Sequence, residues 1–227
     1  MYLIKIYSCF KNIVLLLLSA WVFIYWNSAL AGSYNEFFDA INKDEHAVIL
    51  SLLQRGFDPN TPTADGQTPL IQSIKAGANK TTRILATFKG VDLERTNLQD
   101  ETPLMMASIN ANVEVAKLLL ELNAEVNKPG WGPLHYAATK GSLEIMKLLL
   151  ERSAYVDSES PNKTTPLMMA ARYGTFDAVK LLIEEGADPT LENNLKLSAT
   201  DFAGMANNPK LVSYLKTQAA IWIMSHD

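Results

Sequence analysis

The stretch Thr165 to Pro189, TPLMMAARYGTFDAVKLLIEEGADP, decides the fold. Thr165 can cap a helix with its hydroxyl, and Pro166 suits the first helical position, where its missing N–H costs nothing. Leu167, Ala170 and Ala171 then form a narrow apolar face whose two small residues let another helix approach closely. Gly174 ends that short helix. Phe176 to Glu185 reads as the next one, with Val179, Leu182 and Ile183 spaced for one buried side. Gly186 can take the left-handed conformation that closes it. Such a pair cannot hide its own apolar faces, so it needs neighbours of the same kind.

The chain supplies them. Leucine after proline recurs at Leu70, Leu104, Leu134 and Leu167, and small helix-ending residues recur at Gly56, Gly90, Asn123, Ser153 and Gly186. The latter are 34, 33, 30 and 33 residues apart. A period of about 33 with a TPLH-like start resembles ankyrin repeats. The resemblance rests on Thr68-Pro69-Leu70, Thr102-Pro103-Leu104, Gly132-Pro133-Leu134-His135 and Thr165-Pro166-Leu167. It rests also on the closing runs Gly56-Phe57-Asp58-Pro59-Asn60, Asn123-Ala124-Glu125-Val126-Asn127 and Gly186-Ala187-Asp188-Pro189.

The resemblance implies an all-α solenoid of about six stacked helix-turn-helix repeats with projecting hairpin fingers. Residues 32–218 are expected to form it, with repeats at approximately 33–60, 63–94, 97–127, 128–157, 158–190 and 193–218. The first repeat is degenerate and polar, as suits an end that faces water. The fourth finger is three residues short, because Asn127 to Gly132 is five steps where Asp157 to Thr165 is eight. Ser198-Ala199-Thr200-Asp201-Phe202-Ala203 resembles the start of a closing repeat. Residues 219–227 form a tail, apolar from Ala219 to Met224, in which Trp222 is expected to fold back over the exposed end, the alternative being a partner-binding flag.

Composition narrows the function. The net charge is −4; residues 1–31 hold Lys5 and Lys11 and no acid, leaving −6 on the rest. An acidic total argues against nucleic-acid binding, which needs many cationic phosphate contacts. Residues 1–31 read as a secretory signal peptide: a basic start, an apolar core from Ile13 to Trp26, then the small-x-small pattern Ala29-Leu30-Ala31. That places the protein in a bacterial periplasm or outside the cell. The rival is an uncleaved inner-membrane anchor, with Trp21, Tyr25 and Trp26 at the interface. The single cysteine, Cys9, lies in this leader, so the remainder has no disulfide.

Little chemistry is on offer. His135 stands at the TPLH position, where the family uses the ring to hydrogen-bond neighbouring backbone; His46 lies at a helix break and His226 is next to last. No nucleophile–base pair, phosphate cradle or metal-ligand spacing stands out, so no catalytic residue, metal or cofactor is expected. Met105-Met106 and Met168-Met169 read as packing rather than as a soft-metal site. Asn79-Lys80-Thr81 and Asn162-Lys163-Thr164 fit the glycosylation pattern, which matters only in a eukaryotic secretory route.

Binding is more promising. In the ankyrin family, partners dock on the fingers and on the two helix positions before the break. Those positions carry over to Asn42 and Lys43, Lys75 and Ala76, Ile109 and Asn110, Thr139 and Lys140, and Arg172 and Tyr173. Cations recur and acids are absent, although the chain is acidic. A concave basic stripe of Lys43, Lys75, Lys140 and Arg172 is expected, with Ile109 and Tyr173 as apolar contacts. Trp131, flanked by Gly130 and Gly132 on the short finger, is either a binding hot spot or a filler of the notch. The expected protein is a monomeric, non-catalytic binder of a folded partner with an acidic patch, as inhibitor, immunity protein or assembly factor. Alternatives are a membrane-tethered scaffold and an effector acting on host proteins.

Overall fold

The computed structural model describes residues 32–226; the leader and its apolar core lie outside them. Among the described residues there are twelve helices. They are α1 (32–42), α2 (His46–Gln54), α3 (Pro69–Lys75), α4 (Asn79–Thr87), α5 (Pro103–Ile109), α6 (Val113–Glu121), α7 (Pro133–Lys140), α8 (Leu143–Glu151), α9 (Pro166–Tyr173), α10 (Phe176–Glu184), α11 (Ala199–Met205) and α12 (Pro209–His226). From α3 to α11 odd-numbered helices stack on odd, and from α2 to α10 even on even, while each odd helix from α3 onward also packs on the even one that follows it. The result is the ankyrin-repeat solenoid, with an inner row (α3, α5, α7, α9, α11), an outer row and one continuous core between them.

Local chemistry starts four of the five inner helices alike, α7 beginning instead at Gly132. The Thr68, Thr102, Thr165 and Ser198 hydroxyls accept from the amides of Ile71, Met105, Met168 and Asp201. The third helical residue reaches back to the cap amide with three different chemistries. His135 Nδ1 accepts from Gly132 N at 3.2 Å, Met105 Sδ from Thr102 N at 3.4 Å, and Asp201 Oδ2 from Ser198 N at 2.8 Å. Met105 therefore does with sulfur what His135 does with its ring. His135 is fully buried, and Nε2 meets Thr164 O at 3.0 Å, so the ring staples the fourth repeat to the fifth. Burial pulls its pKa below the ordinary histidine value, which keeps the ring neutral.

The outer helices α2, α6, α8 and α10, and the turn after α4, end on left-handed residues at all five expected positions: Gly56, Gly90, Asn123, Ser153 and Gly186. The breaks between paired helices are left-handed at Asp44, Gly77, Ala111, Gly141 and Asn207. The fifth break differs. Gly174 is extended there (φ −82°, ψ −150°), and a Cβ would lie 2.4 Å from Ala138 O on the neighbouring repeat. Glycine is needed at that point for close approach, not for handedness.

The C-terminus departs from expectation. No separate tail folds back: α12 runs unbroken from Pro209 to His226. Trp222 remains on the stripe of buried Leu211 and Leu215, half-buried, with its ring stacked on His226 at 4.2 Å. Ala219 to Met224 extend the last helix because alanine, isoleucine and methionine continue a helical run readily and no glycine or proline interrupts them.

Candidate protein-binding groove

Each inner helix presents three outward positions to the concave side, set by its cap: the fifth, eighth and ninth residues counted from the N-cap. The fifth positions are Gln72, Met106, Tyr136, Met169 and Phe202. The eighth are Lys75, Ile109, Thr139, Arg172 and Met205, and the ninth Ala76, Asn110, Lys140, Tyr173 and Ala206. α1 adds Asp39, Asn42 and Lys43 in the same register. Stacking the helices turns these sparse positions into one continuous strip.

The expected cations are where the register puts them. Lys43, Lys75 and Lys140 are exposed and Arg172 is half-exposed, and none is in a salt bridge among the described residues. Elsewhere, some lysines and arginines are matched. Arg83 pairs with Glu114 at 2.9 Å and Lys117 with Glu144 at 2.7 Å across the outer row. Lys128 pairs with Asp100 between fingers, and Lys163 and Lys196 pair with Glu159 and Glu192 within theirs. Arg55, Lys80, Lys89, Arg95 and Lys147 also lack a salt bridge among the described residues, so the groove cations are set apart by their shared register on one strip rather than by being unmatched.

The two apolar contacts expected here divide. Tyr173 stands out at 61% exposure, with the Arg172 guanidinium 5.6 Å from its ring centroid. Ile109 is half-buried and packs on the core, so little of it is left to offer a partner. Trp131 is half-buried, edge-on to the His135 ring at 5.2 Å, and lies at the short finger rather than among the groove cations.

Other groove residues carry weight that the eighth and ninth positions alone did not show. Met169 and Phe202 are half-buried, and Met205 is 48% exposed. Reading the fifth position alongside the other two, and extending the register into the sixth repeat, would have found all three. Tyr136 donates its hydroxyl to Glu101 Oε1 at 3.0 Å; burial first, and then that carboxylate, push its pKa up. The tyrosine is thereby held neutral as a donor.

The bases of the fingers carry a further row, one residue per repeat. Asn60 donates to Gly90 O at 2.8 Å and accepts from Asp92 N at 2.8 Å. Asn127 does the same with Ser153 O and Tyr155 N, at 2.8 and 2.9 Å. Glu94 and Asp157 occupy the same place and only accept, from Glu125 N at 2.8 Å and from Asp188 N at 3.1 Å. Burial, with the Asp188 carboxylate adding to it, raises Asp157 from 3.8 to about 6; burial also raises Glu94.

Among the described residues no group of histidine, cysteine and acidic side chains could hold a metal ion, and no helix is long and apolar enough to cross a membrane.

Comparison with known proteins agrees with this architecture. The family description "Ankyrin repeats (3 copies)" matches residues 37–129 and 126–193. A chain from the solved complex of the predatory endopeptidase Bd0816 from Bdellovibrio bacteriovorus with immunity protein Bd3460 superposes with a TM-score of 0.70. It is 27% identical, and the match covers 80% of this chain and 97% of that one. The ankyrin repeat and KH domain-containing protein mask of Drosophila melanogaster is 33% identical over 70 residues; the match covers 31% of this chain and 2% of that protein. The fold and the groove describe a protein-interaction module, and the family match spans well over half the sequence. The chain belongs to the ankyrin-repeat family.

Proposed function

We propose that this protein is a non-catalytic binder that takes one folded protein into its concave groove, and that its partner is an enzyme whose activity it restrains. The observation that carries this reading is the groove itself, a run of cations without salt bridges among the described residues, beside an exposed tyrosine. Charges left unmatched in this way speed encounter with an oppositely charged surface and fix its register, so the partner should present an acidic patch. The likeness to a chain from an endopeptidase–immunity protein complex, over most of both chains, supports an enzyme as that partner. Help in assembling an enzyme is the nearest rival role.

The site of action follows from the leader. Lys5, Lys11, the apolar Ile13–Trp26 and Ala29-Leu30-Ala31 favour export to a periplasm with cleavage before Gly32. Retention of the same apolar segment as an anchor is favoured by Trp21, Tyr25 and Trp26. Mass spectrometry of the N-terminus decides between them: a start at Gly32 removes the anchor.

The binding function is tested by affinity capture with the tagged full chain from an extract of its own cells. The expected catch is an enzyme whose activity falls in proportion to added protein. An enzyme whose activity rises or is merely stabilised overturns inhibition in favour of assembly. Failure to retain any stoichiometric partner overturns the binding role.

A further inference from the structure

The two ends of the groove differ in chemistry, and the difference names what each can hold. At the N-terminal end the floor is polar and already partnered: Gln72 donates to Asn42 Oδ1 at 2.9 Å, and Asp39 and Lys75 are solvated. At the C-terminal end, α9 and α11 lie side by side and set Met169, Tyr173, Phe202 and Met205 on the same concave strip. Tyr173 and Met205 are 61% and 48% exposed, a concentration of apolar surface that water disfavours. Arg172 lies against the Tyr173 ring and Lys140 follows on α7, both without a carboxylate partner among the described residues. The acids of the two flanking fingers, Glu159 and Glu192, are held by Lys163 and Lys196 at 3.7 and 3.5 Å.

The geometry points to a seat on α9 and α11 for a partner segment that carries an aromatic or large aliphatic side chain directly beside a carboxylate. The apolar side chain lies on Met169, Phe202 and Met205, where the flexible thioethers mould to its shape. The carboxylate meets the Arg172 guanidinium, whose planar fork suits two parallel hydrogen bonds and which stays stacked on Tyr173 meanwhile. Charge complementarity selects this occupant over a purely apolar one: a hydrocarbon segment would desolvate Arg172 without a counter-charge. This seat rests on the binding function proposed above and specifies which third of the groove supplies affinity.

The test is a selection of displayed three-helix scaffolds, randomised on one face, against the immobilised full chain. Enriched scaffolds are expected to carry Asp or Glu next to Phe, Tyr, Trp or Leu. They should lose at least ten-fold in affinity to Met205→Ser and to Arg172→Gln, less to Lys75→Gln at the far end of the groove, and under two-fold to Lys147→Gln on the outer row. Both replaced groove side chains are partly exposed, and circular dichroism of each variant shows that the stack persists. Scaffolds that respond to Lys75→Gln and ignore Met205→Ser overturn the seat and leave the binding function standing. Enriched scaffolds without the paired chemistry overturn it equally. Recovery of no binder at all overturns both.

Discussion

Within α7, Leu134, Ala137 and Ala138 face the neighbouring repeats, whereas Tyr136, Thr139 and Lys140 face the groove, and the two sets obey different rules. On the seam the apolar side chains are buried, and the His135 ring nitrogens and the finger-base asparagines have backbone partners on both sides. In the groove the cations lack counter-ions, and Tyr173 and Met205 are left in water. A repeat must fit its neighbours on the seam, so that face tolerates little change. The groove is tied to the stack at fewer places, through Tyr136 to Glu101, Gln72 to Asn42 and the packing of Ile109, and its exposed cations are free to be shaped by a partner.

The contrast is sharpest where the seam is emptied or overfilled. Leu134→Ala should cost about 2–5 kcal/mol, because Leu134 is buried between repeats and the stack cannot collapse around the space. Urea unfolding measures it, and a loss near zero would mean that the repeats do not share this seam. Gly174→Ala is the converse. Its backbone angles suit alanine, yet the new methyl would press on Ala138 O of the adjacent repeat at 2.4 Å. A loss of about 1–3 kcal/mol is expected from overpacking. A stabilised variant would show that this close approach relaxes freely.

Asp157 marks the place where the seam is incompletely satisfied. Asn127, one repeat earlier, both donates and accepts; an ionised Asp157 can only accept, and Gly186 O is the carbonyl in register with the one Asn127 reaches. With its folded pKa raised from 3.8 to about 6, the aspartate binds more protons folded than unfolded between those values. Its contribution to stability is fully present below about 3.8 and is lost as pH rises through about 6. Asp157→Asn should therefore stabilise the protein by about 1–2 kcal/mol at pH 7, allowing for partial solvent access. The gain should shrink as pH falls toward 4. A thermal-melting series from pH 4 to 8 reads both; an equal gain at every pH would exclude titration of this carboxylate as the cause.

The seam was legible in the sequence because its demands repeat. Each cap, each leucine after proline and each left-handed ending is fixed by backbone geometry, which imposes nearly the same residue every 33 or so positions. Met105 shows how far substitution can go without loss of function, since a sulfur accepts the amide that a histidine otherwise would. The groove was only half legible. Lys75, Lys140 and Arg172 follow from register alone, but Ile109 sits in an eighth position like Lys75 and Arg172 and still leans into the core. The depth to which a side chain sinks depends on its neighbours' volumes, which spacing does not carry. Met205 is an eighth position of the sixth repeat, beyond the five pairs carried over, and Phe202 is a fifth position, which the two letters before the break leave out. The helical continuation through Trp222 was missed because an apolar terminus suggests burial, whereas propensity alone prolongs α12.

The smallest expected effect on stability comes from the groove, and it separates the two faces most cleanly. Reversing Lys75, Lys140 and Arg172 to glutamate together should move the unfolding free energy by no more than about 0.5 kcal/mol, because these side chains are solvated and have no ionic partners to lose. The same triple variant should weaken capture of the partner by at least ten-fold, with the deficit narrowing as salt screens the interaction over distances beyond roughly 8–10 Å. If stability falls by several kilocalories, the groove is structurally tied to the seam and the division between the two faces fails. If binding is untouched while stability holds, the cations are ordinary solvated surface, and the partner is gripped by the fingers or by the exposed face of α12. Affinity of the unaltered protein that rises as salt is added would reverse the sign of the electrostatic argument, since attraction between unlike charges can only weaken as ions are added.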